Sequence, residues 1–239
     1  MGTTDKLYII IPAYNEEENI DEVVRGWHDI VSSINAESRL CIIDDGSKDT
    51  TFTKLQELQK NYAQLEAITK ENGGHGSTIY FGYKYALEKG ADYIFQTDSD
   101  GQTLPDEIDI FWQERQKYDI QIGHRKGRQD GLSRIFVTKI LKLVVLLQFR
   151  VLSNDANTPF RLMSSTSLAD IMPLIPKNHN LTNVLLTVFY HKQGKNIKYR
   201  KITFRPRQGG VNSINFKRIV KIGRKAISDF ANIKRKKRG

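Results

Sequence analysis

Four times before residue 103 the chain repeats one pattern: an apolar, β-favouring run, a polar or glycine-bearing loop, then a helical periodicity. The runs are Leu7–Ile11, Leu40–Ile43, Leu65–Thr69 and Ala91–Gln96, and the loops are 12–16, 44–47, 72–76 and 98–102. Short apolar runs that do not alternate with polar residues suit strands covered on both faces, and strands alternating with helices build a parallel sheet between helical layers. In such sheets the loops after the strands share one edge, and ligands bind there. The four loops are therefore expected to face one site.

The fourth run ends in Asp98-Ser99-Asp100-Gly101-Gln102. Side chains two apart in extended backbone point the same way, which aligns Asp98, Asp100 and Gln102. Two carboxylates so placed repel each other unless a cation lies between them, and Mg2+ or Mn2+, hard ions that share oxygen ligands with phosphates, suit the gap. Alone, such a pair is more often a polar turn. Three further loops on the same edge favour a site.

Further along, the pattern predicts helices from near Asn15 to Ile34, through Leu55 and Leu58, from Ser77 to Leu87, over Pro105–Tyr118 and over Leu181–Gln193. Strands are expected at Asp119–Gly123, Phe160–Met163 and Lys198–Phe204, and a basic apolar helix over Phe216–Ile233. Residues 132–152 are the most apolar part of the chain. They suit either a buried core helix or an amphipathic helix in a membrane interface.

Charge divides the chain. Residues 1–120 hold 11 Lys and Arg against 23 Asp and Glu, whereas residues 121–239 hold 26 against 4. A net of −12 beside a net of +22 implies two different partners, with nucleic acid, an anionic membrane or a phosphate-rich substrate open for the basic half. The single cysteine, Cys41, lies in an apolar run, so no intrachain disulfide is available and a reducing compartment is expected. No uncharged apolar stretch of 18 residues occurs, and the N-terminus lacks a signal-peptide core, so no transmembrane helix or leader is expected.

Pro12-Ala13-Tyr14-Asn15-Glu16, Asp44-Asp45-Gly46-Ser47 with Asp49, and Asp98-Ser99-Asp100, each after a strand, resemble the GT-A glycosyltransferases of family 2. Gly123-His124-Arg125, Asp155 to Arg161, and Arg207 to Ser213 resemble the branch containing dolichol-phosphate mannose synthases and bacterial polyprenyl-phosphate glycosyltransferases. The resemblance covers nearly the whole chain. It implies an α/β GT-A domain, a Rossmann-like nucleotide-sugar sheet with helices on both faces, over 1–212. A nucleotide-binding half would occupy 1–122 and an acceptor half 123–212, followed by a basic helix and tail over 213–239.

The resemblance also implies roles. Pro12, Ala13, Tyr14, Glu16, Ile43, Asp45, Asp98 and Ser99 would hold the nucleotide of a UDP- or GDP-sugar. Asp98 and Asp100, aided by Gln102, would bind Mg2+ or Mn2+. Arg125, Arg134, Arg205 and Arg207 would receive the phosphate of an undecaprenyl or dolichyl phosphate, and Asp100, Asp155, Arg125 and Arg207 would serve catalysis. His75 stands where relatives often carry Lys, the Gln-x-x-Arg-Trp motif of processive synthases is missing, and a single transfer with inversion is implied. The expected setting is the cytoplasmic face of a membrane, bound peripherally, with a homo-oligomer or membrane-protein partner left open and nucleic acid excluded. Two alternatives stand beside it. One is transfer to a glycan hydroxyl with Asp155 as base. The other is a non-enzymatic basic module for nucleic acid or membranes.

Overall fold

The computed structural model describes residues 3–125 and 142–205. Arg134, Arg207 and the segments at 132–141 and 213–239 lie outside the described residues. Among the described residues seven strands form one sheet: β1 (Leu7–Ala13), β2 (Arg39–Asp44), β3 (Leu65–Thr69), β4 (Tyr93–Gln96), β5 (Ile120–Arg125), β6 (Arg161–Ser164) and β7 (Ile197–Ile202), in the order β3-β2-β1-β4-β6-β5-β7. The first four are parallel, as their intervening helices require. The sheet is mixed overall. β6 runs antiparallel between β4 and β5, and β7 returns parallel to β5.

The apolar runs form strands because both faces are covered. On β1, Leu7, Ile9 and Ile11 enter one core layer with Val24, Trp27 and Val31 of α1 (Ile20–Ile34), while Tyr8 and Ile10 enter the other with Ile79, Tyr83 and Ala86 of α3 (His75–Glu88). The first layer also holds Leu55 of α2 (Thr51–Gln59) and Phe111 of α4 (Asp109–Gln113). The second holds Val145 and Phe149 of the helical residues 142–149 (α5), Leu168 and Ile171 of α6 (Ser165–Ile171), and Val184 to Tyr190 of α7 (Thr182–Lys192). Cys41 is buried in β2 with a free thiol, as its place in an apolar run implies.

Three expectations change. The segment 105–118 is not one helix: a 3-10 turn at Pro105–Ile108 leads into the short α4, and a second follows at Arg115–Lys117. The run after β6 folds into α6, which periodicity did not anticipate; Ser164 caps it by accepting from the Ser167 N–H. In the described part of 132–152, α5 carries Val145 and Phe149 in the core and leaves Leu143 and Leu147 exposed, so it is not buried all round.

α3 packs so closely on β1 that a Cβ at Gly82 would sit 2.4 Å from Ile10 Cγ2. In a solvent-facing turn, alanine would favour the helix by about 1 kcal/mol over glycine. Against a buried β-branched side chain, overpacking costs about 1–3 kcal/mol and wins. Gly82→Ala is expected to lower the urea midpoint with the slope unchanged.

Candidate functional site

The loops after β1, β2, β3 and β4 surround a cleft of about 850 Å³, lined by residues 12–19, Asp45, Lys48, Asp49, Asn72, Gly74, His75, Thr78 and 98–100. The first two loops are interlocked. Asn15, at φ 54°, donates its N–H to Ser47 Oγ at 3.0 Å and accepts the Lys48 N–H on Oδ1 at 2.8 Å. The Glu16 N–H reaches Thr51 Oγ1, whose hydroxyl donates to Asp49 Oδ1, and Glu17 accepts from Thr50. The Asn-Glu and Ser-x-Asp signatures therefore brace each other. Tyr14, 42% exposed at the wall, offers an aromatic face to a ligand.

Asp45 is nearly buried, and its carboxylate is the anchor of the glycine-rich loop. It accepts from Lys70 Nζ at 2.5 Å, the Gly73 N–H at 2.9 Å and the Gly74 N–H at 2.8 Å. Gly74, at φ +83°, ends the loop, and α3 begins at the next residue. Burial alone would raise the Asp45 pKa, but the Lys70 ammonium, the Gly73 N–H and Thr78 outweigh it and hold the carboxyl below its usual range. The far side of the loop is fixed as well. A Cβ at Gly76 would lie 2.0 Å from the His179 carbonyl, and Thr182 Oγ1 donates to the Gly76 carbonyl at 2.9 Å.

The loop so placed sets His75 Nε2 2.9 Å from Asp98 Oδ1. Desolvation pulls the His75 pKa down, although 51% of the side-chain surface stays open, and the charges of Asp98, then Asp100 and Asp45, more than compensate, leaving it raised. Asp98, Ser99 and Asp100 line the cleft together. Among the described residues no three His, Cys, Asp or Glu side chains converge as a ready metal cage. Two carboxylates are what a divalent cation needs when a diphosphate and water supply the remaining oxygens, so the donor set fits Mg2+ or Mn2+.

Gln102 lies outside the cleft lining and does different work. Its Nε2 donates to the Arg205 carbonyl at 2.9 Å, and its own carbonyl accepts the Arg205 N–H at 2.8 Å. Both main-chain groups of Arg205 are thus clamped to the acidic turn. One residue earlier, the Phe204 ring lies 5.0 Å from the Arg125 guanidinium. Arg125 in turn donates Nε and Nη2 to the two oxygens of Asp155, at 2.7 and 2.9 Å, both side chains almost wholly buried. The expected base and an expected phosphate ligand are therefore partners of each other.

Ile43, expected at the nucleotide, is fully buried in the core layer beneath α3 and is not among the cleft-lining residues. Sequence reasoning gave no site role to Lys70, Arg161 or His75. Arg161 is fully buried and donates to the carbonyls of Ala156, Thr158 and Asn183, so it shapes the turn that follows Asp155. The basic residue closing the Thr-Pro-Phe-Arg run was its only signal.

The model of glycosyl transferase family 2 matches residues 8–172. The chain belongs to that family. The match spans all four cleft loops and the Arg125–Asp155 pair, and it reaches into the basic half as far as residue 172. Over 118 residues the chain is 39% identical to a UDP-N-acetylglucosamine–dolichyl-phosphate N-acetylglucosaminyltransferase of Methanococcus voltae, a match covering 44% of this chain and 45% of that relative. Among solved structures, the glucosyl-3-phosphoglycerate synthase of Mycobacterium tuberculosis shares the fold. Its complex with Mn2+ and UDP-glucose superposes over 96% of this chain and 79% of that one, with a TM-score of 0.68 at 16% identity. Its complex with Mn2+, UDP and glucosyl-3-phosphoglycerate gives 0.69 over 96% and 80%, also at 16% identity.

Because the Asp45 pKa is lower folded than unfolded, its contribution is complete above about pH 4, the usual carboxylate value, and is lost as pH falls through the folded value. Asp45→Asn is expected to lose about 1–3 kcal/mol at neutral pH and to flatten the acid limb of a stability–pH curve. Equal acid limbs in the two proteins would contradict this.

Proposed function

We propose that this family 2 enzyme moves one sugar from a nucleotide-sugar, with a UDP-sugar the first candidate, to the phosphate of a polyprenyl phosphate. The observation that carries the reading is the bidentate Arg125–Asp155 pair. A hydroxyl acceptor needs a base, and the candidate base has both oxygens engaged by a guanidinium. A phosphate monoester, with its second pKa near 6, is largely a dianion at neutral pH and needs no base. It needs cations instead. Arg205, held beside the acidic turn by Gln102, supplies one, with Arg134 and Arg207 as further candidates, while Arg125 is already paired with Asp155. The dolichyl-phosphate acceptor in the name of the Methanococcus voltae relative supports the same class.

In this reading the base and ribose lie along Tyr14, Glu16 and Asp45, and the diphosphate runs toward Asp98 and Asp100. A divalent ion held by these two carboxylates would neutralise the charge of the departing nucleoside diphosphate. An acceptor phosphate oxygen forms the new bond to the anomeric carbon as the bond from that carbon to the diphosphate oxygen breaks. The electron pair leaves with the nucleoside diphosphate, and configuration inverts.

The lipid places the enzyme against a membrane. No described helix is long and apolar enough to cross one. Leu143, Leu147 and Leu152 are 54%, 70% and 77% exposed, with Lys142 and Arg150 exposed beside them, a face suited to the anionic headgroups of a cytoplasmic leaflet. Each leucine removed from water is worth about 1.5–3 kcal/mol. Leu143→Glu combined with Leu147→Glu is therefore expected to reduce sedimentation with phosphatidylglycerol vesicles at least ~10-fold; unchanged sedimentation would remove this face from the interface.

The decisive assay supplies labelled nucleotide-sugars, Mn2+ or Mg2+ and a polyprenyl phosphate, and follows label into the organic phase. Asp100→Ala is expected to abolish transfer. Asp155→Asn, which keeps one carbonyl for Arg125, is expected to raise the KM for the lipid more than it lowers kcat. If Asp155→Asn abolishes turnover while donor binding persists, the acceptor is a hydroxyl. If no nucleotide-sugar labels lipid, the phosphate reading fails.

A further inference from the structure

We propose that His75 is a positioning residue for the cation site: its imidazole fixes Asp98 in the orientation in which the carboxylate meets a divalent ion. The proposal rests on the reading of Asp98 and Asp100 as metal ligands. Its basis is a hydrogen bond between two βα units. Asp98 follows β4, His75 opens α3, and the two are joined at 2.9 Å between Nε2 and Oδ1. An ionised carboxylate only accepts, so Nε2 carries the hydrogen. One oxygen of Asp98 is thereby engaged by the protein.

A metal carboxylate near a strand end keeps several rotamers unless a second group selects one, and such outer partners typically change metal affinity 10–100-fold. His75 can select one because the backbone on either side of it is held. Asp45 holds the two N–H groups just before it, and the 179–182 loop abuts Gly76 just after it. The acidic turn has its own local contact, the Gln102 N–H to Asp100 Oδ1 at 3.2 Å, which orients Asp100. His75 gives Asp98 the corresponding restraint from across the cleft. The outcome is a pair of carboxylates set before the cation arrives, with less conformational freedom to lose on binding.

The test is Mn2+ affinity in the presence of UDP, read from the electron paramagnetic resonance signal of free Mn2+ and by calorimetry, on the full chain. His75→Ala is expected to weaken Mn2+ binding 10–100-fold while its thermal melt stays close to that of the wild type. His75→Gln, whose side-chain amide can donate to the same oxygen, is expected to recover part of the loss, which a packing role would not give. Undiminished affinity in His75→Ala overturns the proposal, and tighter binding overturns it in favour of an imidazole that competes with the ion. If the wild type binds no Mn2+ with UDP, the metal reading of Asp98 and Asp100 falls, and the proposal with it; binding by the wild type and His75→Ala alike removes only the proposal.

Discussion

The Asp45 carboxylate is the contact on which the cleft depends. It lies at the end of β2, yet it determines where α3 begins, because it accepts the N–H groups of Gly73 and Gly74 and the Lys70 ammonium. A negative charge at a helix N-terminus is favourable through the exposed N–H groups and the dipole. Here it is also almost buried, so the donors it holds have few competitors in water. Without this anchor the loop would have no reason to carry His75 to Asp98, and the wall opposite the acidic turn would lose its definition.

The second half of the site depends on a clamp of a different kind. Gln102 binds main chain, not side chain, at Arg205, so it positions the cation's backbone while leaving the guanidinium to its own conformations. The Arg125–Asp155 pair is rigid by comparison, and breaking a buried pair by removing one partner typically costs about 3–5 kcal/mol.

Much of this was legible in the residues. Runs such as Leu7–Ile11 and Leu40–Ile43 announce themselves because both faces of each strand are covered, and the four loops converge because parallel strands put their ends on one edge. What stayed hidden was non-local. The partner of Asp98 is 23 residues away and that of Asp155 is 30 residues away, and no periodicity encodes either bond. Ile43 adjoins a signature motif, but strand alternation turns it into the core. α6 escaped notice because Ser164-Ser165-Thr166-Ser167 reads as a loop, although its first serine is a cap. The segment at 105–118 has helical composition, but its turns are short and tightened at both ends.

The antiparallel placement of β6 has a consequence for the order in which the chain assembles. β1 to β4 pair with one another as they are made, and all of them precede β5 in the chain. β5 has no partner among them; both its neighbours, β6 and β7, come later in the chain. During synthesis the parallel strands β1 to β4 can condense while β5 still waits as an unpaired edge, and β6 must then insert between β4 and β5 to join the two. Long-range closure of this kind is slow. The nascent protein therefore gains the strands whose loops surround the cleft first and the Arg125–Asp155 side of the sheet last.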